Sequence, residues 1–262
     1  MQKKDKSRIN KNMCRIKKDI VFIINTVFVG LLLLSSCQKN IKKEFKYPDS
    51  KVWKHGVYSK YEAAECEGVF KGLEVDLVYL PDRDDIYIGR SEEDAPYNDS
   101  FDDWLAILEK PQELSFWLDF KNLNSRNCKK ALARLDKLTS KYNIKDVVMI
   151  ESQDIKPLKY AQQEGYHVIL WVDDLFWRRH ERQDSIEVCR NIRKKINTLR
   201  PDAISGSYRM YPILCDTFPE QNIHYWDTPK DYSEENAEFT RELCRNHSVK
   251  VVLVNYDKPI DY

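Results

Sequence analysis

Past residue 51 the chain falls into eight short apolar, β-branched or aromatic runs, at 52–57, 73–79, 114–120, 146–151, 167–172, 203–208, 223–227 and 250–255, separated by polar or helical stretches. Parallel neighbours need a crossover, usually a helix, so this alternation specifies a parallel sheet wrapped by helices. The clearest helix spans 125–142, where Cys128, Ala131, Leu132, Leu135, Leu138 and Tyr142 recur at helical steps behind Ser125 as candidate cap. The same spacing links Ile186, Cys189, Ile192, Ile196 and Leu199 behind Asp184, and also Ala237, Thr240, Leu243 and Cys244. Shorter helices are expected at 102–109 and 154–163, and irregular chain at 212–221, which carries Pro212 and Pro219. Eight strands with seven connections fit an α/β fold, a (β/α)8 TIM-type barrel of parallel strands in a single domain, better than an open doubly wound sheet.

The first 36 residues stand apart from that pattern and read as a signal peptide. Eight lysines and arginines precede an apolar run at 20–34, followed by Ser35-Ser36-Cys37. As a helix that run spans about 22 Å against a hydrocarbon core of about 30 Å, short for a permanent span. Leu34-Ser35-Ser36-Cys37 resembles the bacterial lipobox, which implies cleavage before Cys37, lipidation of that cysteine and attachment to a membrane; an uncleaved anchor is the alternative. Gln38 stands where the inner-membrane retention signal has aspartate, so the expected location is the bacterial cell envelope, at the outer membrane. Residues 37–51, rich in lysine, read as the lipidated cysteine and a tether, and 52–262 as the barrel.

Removing the leader takes eight basic and two acidic residues from totals of 43 and 42, leaving 35 and 40, a net charge of −5. A nucleic-acid partner would call for a basic excess, so the balance argues against one. With only seven glycines and no GxGxxG or Walker pattern, the chain carries no glycine-rich phosphate loop. Beyond Cys37 there are five cysteines and no CxxC pair, hence no legible zinc site or disulfide framework; Cys128, Cys189 and Cys244 fall on apolar helix faces. The 226 residues left after the leader suit one barrel, and a monomer is expected.

Chemistry-bearing residues concentrate at the C-terminal ends of the strands, where a parallel barrel builds its site. Glu74 and Asp76 are two residues apart, as are Asp119 and Lys121, so each pair points to one side of its strand; His55 closes the first run. Three carboxylates, a lysine and a histidine in one pocket suit a divalent cation, Ca²⁺ or Mg²⁺, and a phosphoryl group whose oxygens Lys121 and the metal neutralise. A buried ion-pair network without metal is the competing reading. Trp171, Tyr208, Tyr211, Trp226 and Tyr256 near strand ends either line a sugar- or glycerol-binding cleft or fill the rim. Asp173, Asp174, Asp227, Asp257 and Glu151 either extend the acidic mouth or cap helices.

The segments Trp53-Lys54-His55-Gly56-Val57-Tyr58-Ser59-Lys60, Gly72-Leu73-Glu74-Val75-Asp76, Phe101-Asp102-Asp103-Trp104-Leu105 and Trp117-Leu118-Asp119-Phe120-Lys121 carry a family likeness, as does Val254-Asn255-Tyr256-Asp257-Lys258-Pro259. In order and spacing the chain resembles the phospholipase C-like phosphodiesterase superfamily, which includes the glycerophosphodiester phosphodiesterases, and its motifs are most similar to those of the menorin-like FAM151 proteins. Active members use two histidines as general acid and base and three carboxylates to hold a divalent cation. The resemblance therefore implies His55 as the first catalytic histidine, Glu74, Asp76 and Asp119 as metal ligands, and Lys121 as the phosphate-neutralising cation, acting on a phosphodiester or polyol small-molecule ligand.

The chain departs from that pattern at two points. The second histidine, expected after the hairpin-like run Asp85-Ile86-Tyr87-Ile88, is replaced by Gly89-Arg90-Ser91, and the arginine of the usual His-Arg-Gly opening by Gly56. Arg90, with a pKa above about 12, cannot shuttle protons at neutral pH, yet can clamp a phosphate bidentately. His180 is the candidate substitute; His167 and His224 begin strands and so belong to the opposite face, and His247 ends a helix. Loss of one of two acid/base groups costs on the order of 10²–10⁴ in rate. Two functions follow: metal-dependent hydrolysis of a glycerophosphodiester or related phosphodiester by a lipid-anchored barrel, or ligand binding by a barrel that has lost turnover. A purely structural envelope protein would bind nothing at the cluster.

Overall fold

The computed structural model of the chain describes residues 43–172, 182–226, 228–258, 260 and 262. Two compact units are distinguished, Met1–Glu44 and Phe45–Tyr262. The leader, Cys37, Asp173, Asp174, His180 and Asp227 lie outside the described residues.

The second unit is built on strands β1 (Val52–Lys54), β2 (Gly72–Leu80), β3 (Asp85–Ile88), β4 (Ser115–Phe120), β5 (Val148–Ser152), β6 (His167–Trp171), β7 (Ala203–Ser207), β8 (Ile223–Trp226) and β9 (Val249–Val254). Eight of them are parallel and close into a barrel, because β1 bonds both β9 and β2. β3 is the exception, pairing antiparallel with Leu77–Leu80 as a hairpin beyond the barrel rim. The helices are α1 (Lys60–Cys66), α2 (Phe101–Ala106), α3 (Cys128–Lys141), α4 (Ile155–Gln163), α5 (Arg182–Leu199), α6 (Ile213–Thr217) and α7 (Glu234–Arg245). The (β/α)8 architecture expected from the alternation is the one observed.

Local chemistry sets the boundaries. Ser59, Ser100, Asp154 and Ser233 each accept a hydrogen bond from a first-turn backbone N–H of the helix that follows. Ser125 does not cap α3, which starts behind Asn127, because the Asn124 and Asn127 side-chain amides both donate to the Asn122 carbonyl and the Asn127 amide oxygen accepts from the Asn124 N–H, knitting the preceding turn. Asp184 lies inside α5 and not ahead of it. β1 stops at Lys54, short of residue 57, since Gly56 turns the chain at φ 66°. Residues 213–217, expected to be irregular, form the short helix α6 behind Pro212, which sits ahead of its first turn where no N–H is needed.

Strand alternation separates two apolar layers. Outward side chains such as Val75, Leu118 and Ile150 pack under the helices, against Leu132, Leu135 and Leu138 of α3 among others. Trp53, Trp117, Met149, Ile169, Ala203, Val251 and Leu253 fill the barrel interior. Phe45 and Tyr47, in the segment read from sequence as a tether, pack against this interior cluster from the N-terminal end. There Tyr47 Oη lies 3.0 Å from Nε2 of His224, which burial holds neutral at a pKa of about 3.

Gly72 makes the interior layer possible. A Cβ at that position would lie 2.0 Å from Cδ2 of the fully buried Trp53. Gly72→Ala is therefore expected to lower stability by about 1–3 kcal/mol through overpacking, read as a fall in the midpoint of thermal or urea unfolding; an unchanged midpoint would mean that Trp53 can move aside.

Candidate active site

Above the apolar interior layer the inward positions turn polar. The register aligns Asp76 with Asp119, and Asp119 with Glu151, so three carboxylates stand in one row on β2, β4 and β5, with neighbouring strands about 4.8 Å apart. Glu74 lies one inward position lower on β2. Glu74, Asp76 and Asp119 each offer an oxygen, and these oxygens lie within 4.8 Å of one another. Glu74, Asp76 and Glu151 are buried.

Two cations face this row. Lys121 Nζ lies 2.7 Å from Asp76 Oδ1 and also bonds Asp119 Oδ2. Arg90 arrives from the β2–β3 hairpin, whose return is anchored by Gly89 N–H donating to the Asp76 carbonyl at 3.0 Å. Its Nε lies 3.1 Å from Asp76 Oδ2, its Nη2 donates to the Tyr58 hydroxyl, and its guanidinium sits 5.0 Å from the Tyr58 ring centroid. Tyr58 Oη donates in turn to Asp76 Oδ2 at 2.9 Å. Arg90 stays 68% exposed, which leaves much of its fork open to the cavity.

The electrostatics register an excess of negative charge. Burial, then Asp76 and Asp119, push the Glu74 carboxyl well above the usual range. Burial and Asp119 do the same to Glu151, whose Oε1 accepts from the Ser205 hydroxyl. Burial raises Asp119 as well, against the pull of Lys121. Burial disfavours the Lys121 ammonium, but Asp119 and Asp76 outweigh it and hold its pKa above the ordinary lysine value. With all four acids ionised, Lys121 and Arg90 would leave the site two charges short, and each acid offers oxygen donors. That deficit and donor chemistry fit a hard divalent cation held by Glu74, Asp76 and Asp119.

His55 is held in a defined orientation. Asn255 Nδ2 donates to the Thr228 carbonyl at 2.9 Å, so its Oδ1 faces His55 Nδ1, 2.8 Å away. The ring proton then sits on Nδ1, and Nε2 presents its lone pair to the cavity, 3.7 Å from Glu74 Oε2. Burial lowers the His55 pKa, opposed by the Asn255 hydrogen bond, and keeps the ring neutral. Gly56 bends the chain beside it, its N–H donating to Glu74 Oε2 at 2.7 Å. Any side chain there would meet Tyr58 Cε2 at 2.9 Å, so Gly56 and Tyr58 are paired choices.

His55, Glu74, Asp76, Arg90, Asp119 and Lys121 thus line one cavity of about 830 Å³ at the C-terminal mouth. Trp171 and Trp226 line it too, whereas Tyr208, Tyr211 and Tyr256 do not; they pack instead on Phe239, Tyr225 and Tyr232. Asp257 leaves the mouth to pair with Lys54. No local sequence signal marks Asn255, Tyr58 or Ser205 as site residues, and Glu151 is marked only as an acid at a strand end.

No protein-family model and no curated protein matches the sequence. Solved structures do match in fold. A phosphodiesterase from Oleispira antarctica in complex with the product sn-glycerol-3-phosphate aligns with a TM-score of 0.57 at 12% identity, over 80% of this chain and 94% of that one. A glycerophosphodiester phosphodiesterase from Parabacteroides distasonis gives 0.56 at 12% identity, over the same shares. A glycerol uptake operon antiterminator-related protein from Thermotoga maritima gives 0.51 at 12% identity, over 81% and 97%. The shared element is the barrel fold, and it is shared by proteins of different activity.

In metal-free protein Glu74 and Glu151 hold protons more tightly folded than unfolded, where their pKa is near 4.5. The folded state then binds more protons above that value, so their contribution to stability declines as pH rises from there through the folded pKa values. Unfolding in chelator should show a midpoint that falls between about pH 5 and about pH 8, and Glu151→Gln should flatten the fall. A midpoint that rises over that range would contradict the charge balance described.

Proposed function

We propose that this chain is a metal-dependent phosphodiesterase whose barrel binds and cleaves a glycerophosphodiester or related phosphodiester at its C-terminal mouth. The observation that carries the reading is a neutral histidine with an open ring nitrogen, placed beside three carboxylates whose oxygens lie within 4.8 Å and two cations, in one cavity. Ca²⁺ or Mg²⁺ on Glu74, Asp76 and Asp119 would supply Lewis-acid stabilisation of a phosphoryl oxygen. His55 Nε2 takes a proton from the water that attacks phosphorus as the bond to the leaving oxygen breaks, and the Nδ1–Asn255 hydrogen bond steadies the imidazolium that forms. Lys121 and the open side of Arg90 neutralise the charge developing on the remaining phosphoryl oxygens.

The same proposal takes residues 1–36 as a lipoprotein signal and Cys37 as the lipid-bearing residue, which would set the barrel on the bacterial outer membrane. The basic stretch, short apolar run and Leu34-Ser35-Ser36-Cys37 support this. Closeness to the menorin-like proteins rests on the motif order around His55, Glu74, Asp76, Asp119 and Lys121.

One observation favours a second reading, a ligand-binding lipoprotein without turnover. Arg90 occupies the place of a second acid/base group, and His55 is the only histidine among the described residues lining the cavity. Protonation of the leaving oxygen is then the step without a dedicated donor.

The test is hydrolysis by the full-length chain in detergent with Ca²⁺ or Mg²⁺. Bis-(p-nitrophenyl) phosphate, which needs no leaving-group proton, should turn over faster than glycerophosphodiesters. His55→Ala should lower kcat on the order of 10²–10⁴-fold, and Asp119→Ala should abolish metal-dependent turnover. No turnover on either substrate, with phosphate ligands still bound, would favour the binding protein.

A further inference from the structure

Charge on the outer helices is segregated by side. α3, α4 and α5 together carry twelve lysines and arginines against three acids, Asp136, Asp184 and Glu187. The other four helices reverse the balance, with three basic residues against nine acidic ones. α3, α4 and α5 follow β4, β5 and β6, which are neighbours in the barrel, and α4 packs against both α3 and α5. The basic excess therefore forms one continuous flank, in a chain whose net charge without the leader is −5. A surface that only has to be soluble intersperses the two signs, so this separation calls for a partner.

Helical geometry turns that flank to solvent. Each helix buries one stripe, with Leu132 and Leu135 on α3, Leu158 and Ala161 on α4, and Ile192 and Ile196 on α5, so the polar positions between them face outward. Lys129, Lys130, Lys156, Lys159, Lys194 and Lys195 are all exposed. The ion pairs of the flank use other residues, Lys141 with Asp102 and Arg193 with Glu220, and no carboxylate among the described residues pairs with these six. The rest of the molecule narrows what they meet. A polyanion that wrapped the barrel would reach the acidic helices and be repelled there. A flat anionic surface touches one side only and leaves the acidic half beyond the Debye length of about 8–10 Å. Lys39, Lys42, Lys43 and Lys46, between Cys37 and the barrel, add the same sign next to the expected lipid anchor, where basic residues are drawn to anionic headgroups.

We propose that the flank formed by α3, α4 and α5 docks on an anionic phospholipid bilayer through these lysines, which lays the barrel on its side with its mouth opening along the membrane surface. The choice of a bilayer rests on the lipid anchor proposed at Cys37. It does not depend on turnover at the mouth.

The test is amine acetylation of the full-length chain, read lysine by lysine by mass spectrometry, on vesicles of phosphatidylcholine alone or mixed with phosphatidylglycerol. Each cation near an anionic surface is worth about a fivefold gain in partition, so labelling of the six lysines should slow about tenfold or more on the mixed vesicles. Lys60, on α1 across the barrel, should label at one rate on both. High salt, which shortens the Debye length to about 3 Å at 1 M, should remove the protection. The triple variant Lys130→Glu, Lys156→Glu and Lys194→Glu, all at exposed positions, should expose Lys129, Lys159 and Lys195 again. Equal labelling of the flank on the two kinds of vesicle would overturn the proposal. So would protection by duplex DNA, or by rising protein concentration in detergent, with none on phosphatidylglycerol; these outcomes would assign the flank to a nucleic acid or to a second copy of the chain. A chain that leaves neutral vesicles but is held and protected on anionic ones would overturn the lipid anchor and support the docking flank.

Discussion

Asp76, Asp119 and Glu151 stand side by side because the parallel register of β2, β4 and β5 leaves them no other arrangement. Three carboxylates in a row, two of them buried, are costly to ionise together unless cations answer them, and much of the mouth is arranged around that need. Lys121 follows Asp119 by two residues, so strand alternation delivers its ammonium to the same side. Arg90 has to come from elsewhere, and β2 supplies it by running on past the rim to turn back through β3. The Gly56 N–H adds a backbone donor to Glu74.

The ionic row rests on a rigid base. Directly beneath it Trp53 and Trp117 fill the barrel, the first only because Gly72 has no side chain. Further down, Phe45, Tyr47 and His224 close the opposite end. Site residues carried on strand ends over such a packed interior lose little freedom when a ligand binds. His55 gains its definition the same way, through an amide on β9's exit that is itself fixed by Thr228.

The acidic pairs were legible in the sequence because a two-residue spacing on a strand has one geometric meaning. Glu74, Asp76, Asp119 and Lys121 needed no partner to be placed. Arg90 stands out only by comparison with the phosphodiesterases the sequence resembles, which carry histidine there; nothing local marks it. Asn255 was invisible as a partner of His55, 200 residues away, since the pairing exists only once β1 and β9 meet. Phe45 and Tyr47 carry no strand or helix period, so their packing against the barrel interior could not be read. The aromatics show the same limit. Trp171 and Trp226 point inward and Tyr256 outward, and that difference turns on strand parity at ends where the boundary itself shifts.

A divalent cation at the mouth is the claim on which the chemistry depends most. The direct measurement is isothermal titration of Ca²⁺ and Mg²⁺ into the chelator-stripped full-length chain, beside Glu74→Gln and Asp119→Asn. Saturable binding of one ion per chain, lost in both variants, is expected. Absence of binding to a folded wild-type chain, or binding that survives both substitutions, would contradict it and leave Lys121 and Arg90 as the counter-charges bonded to the row.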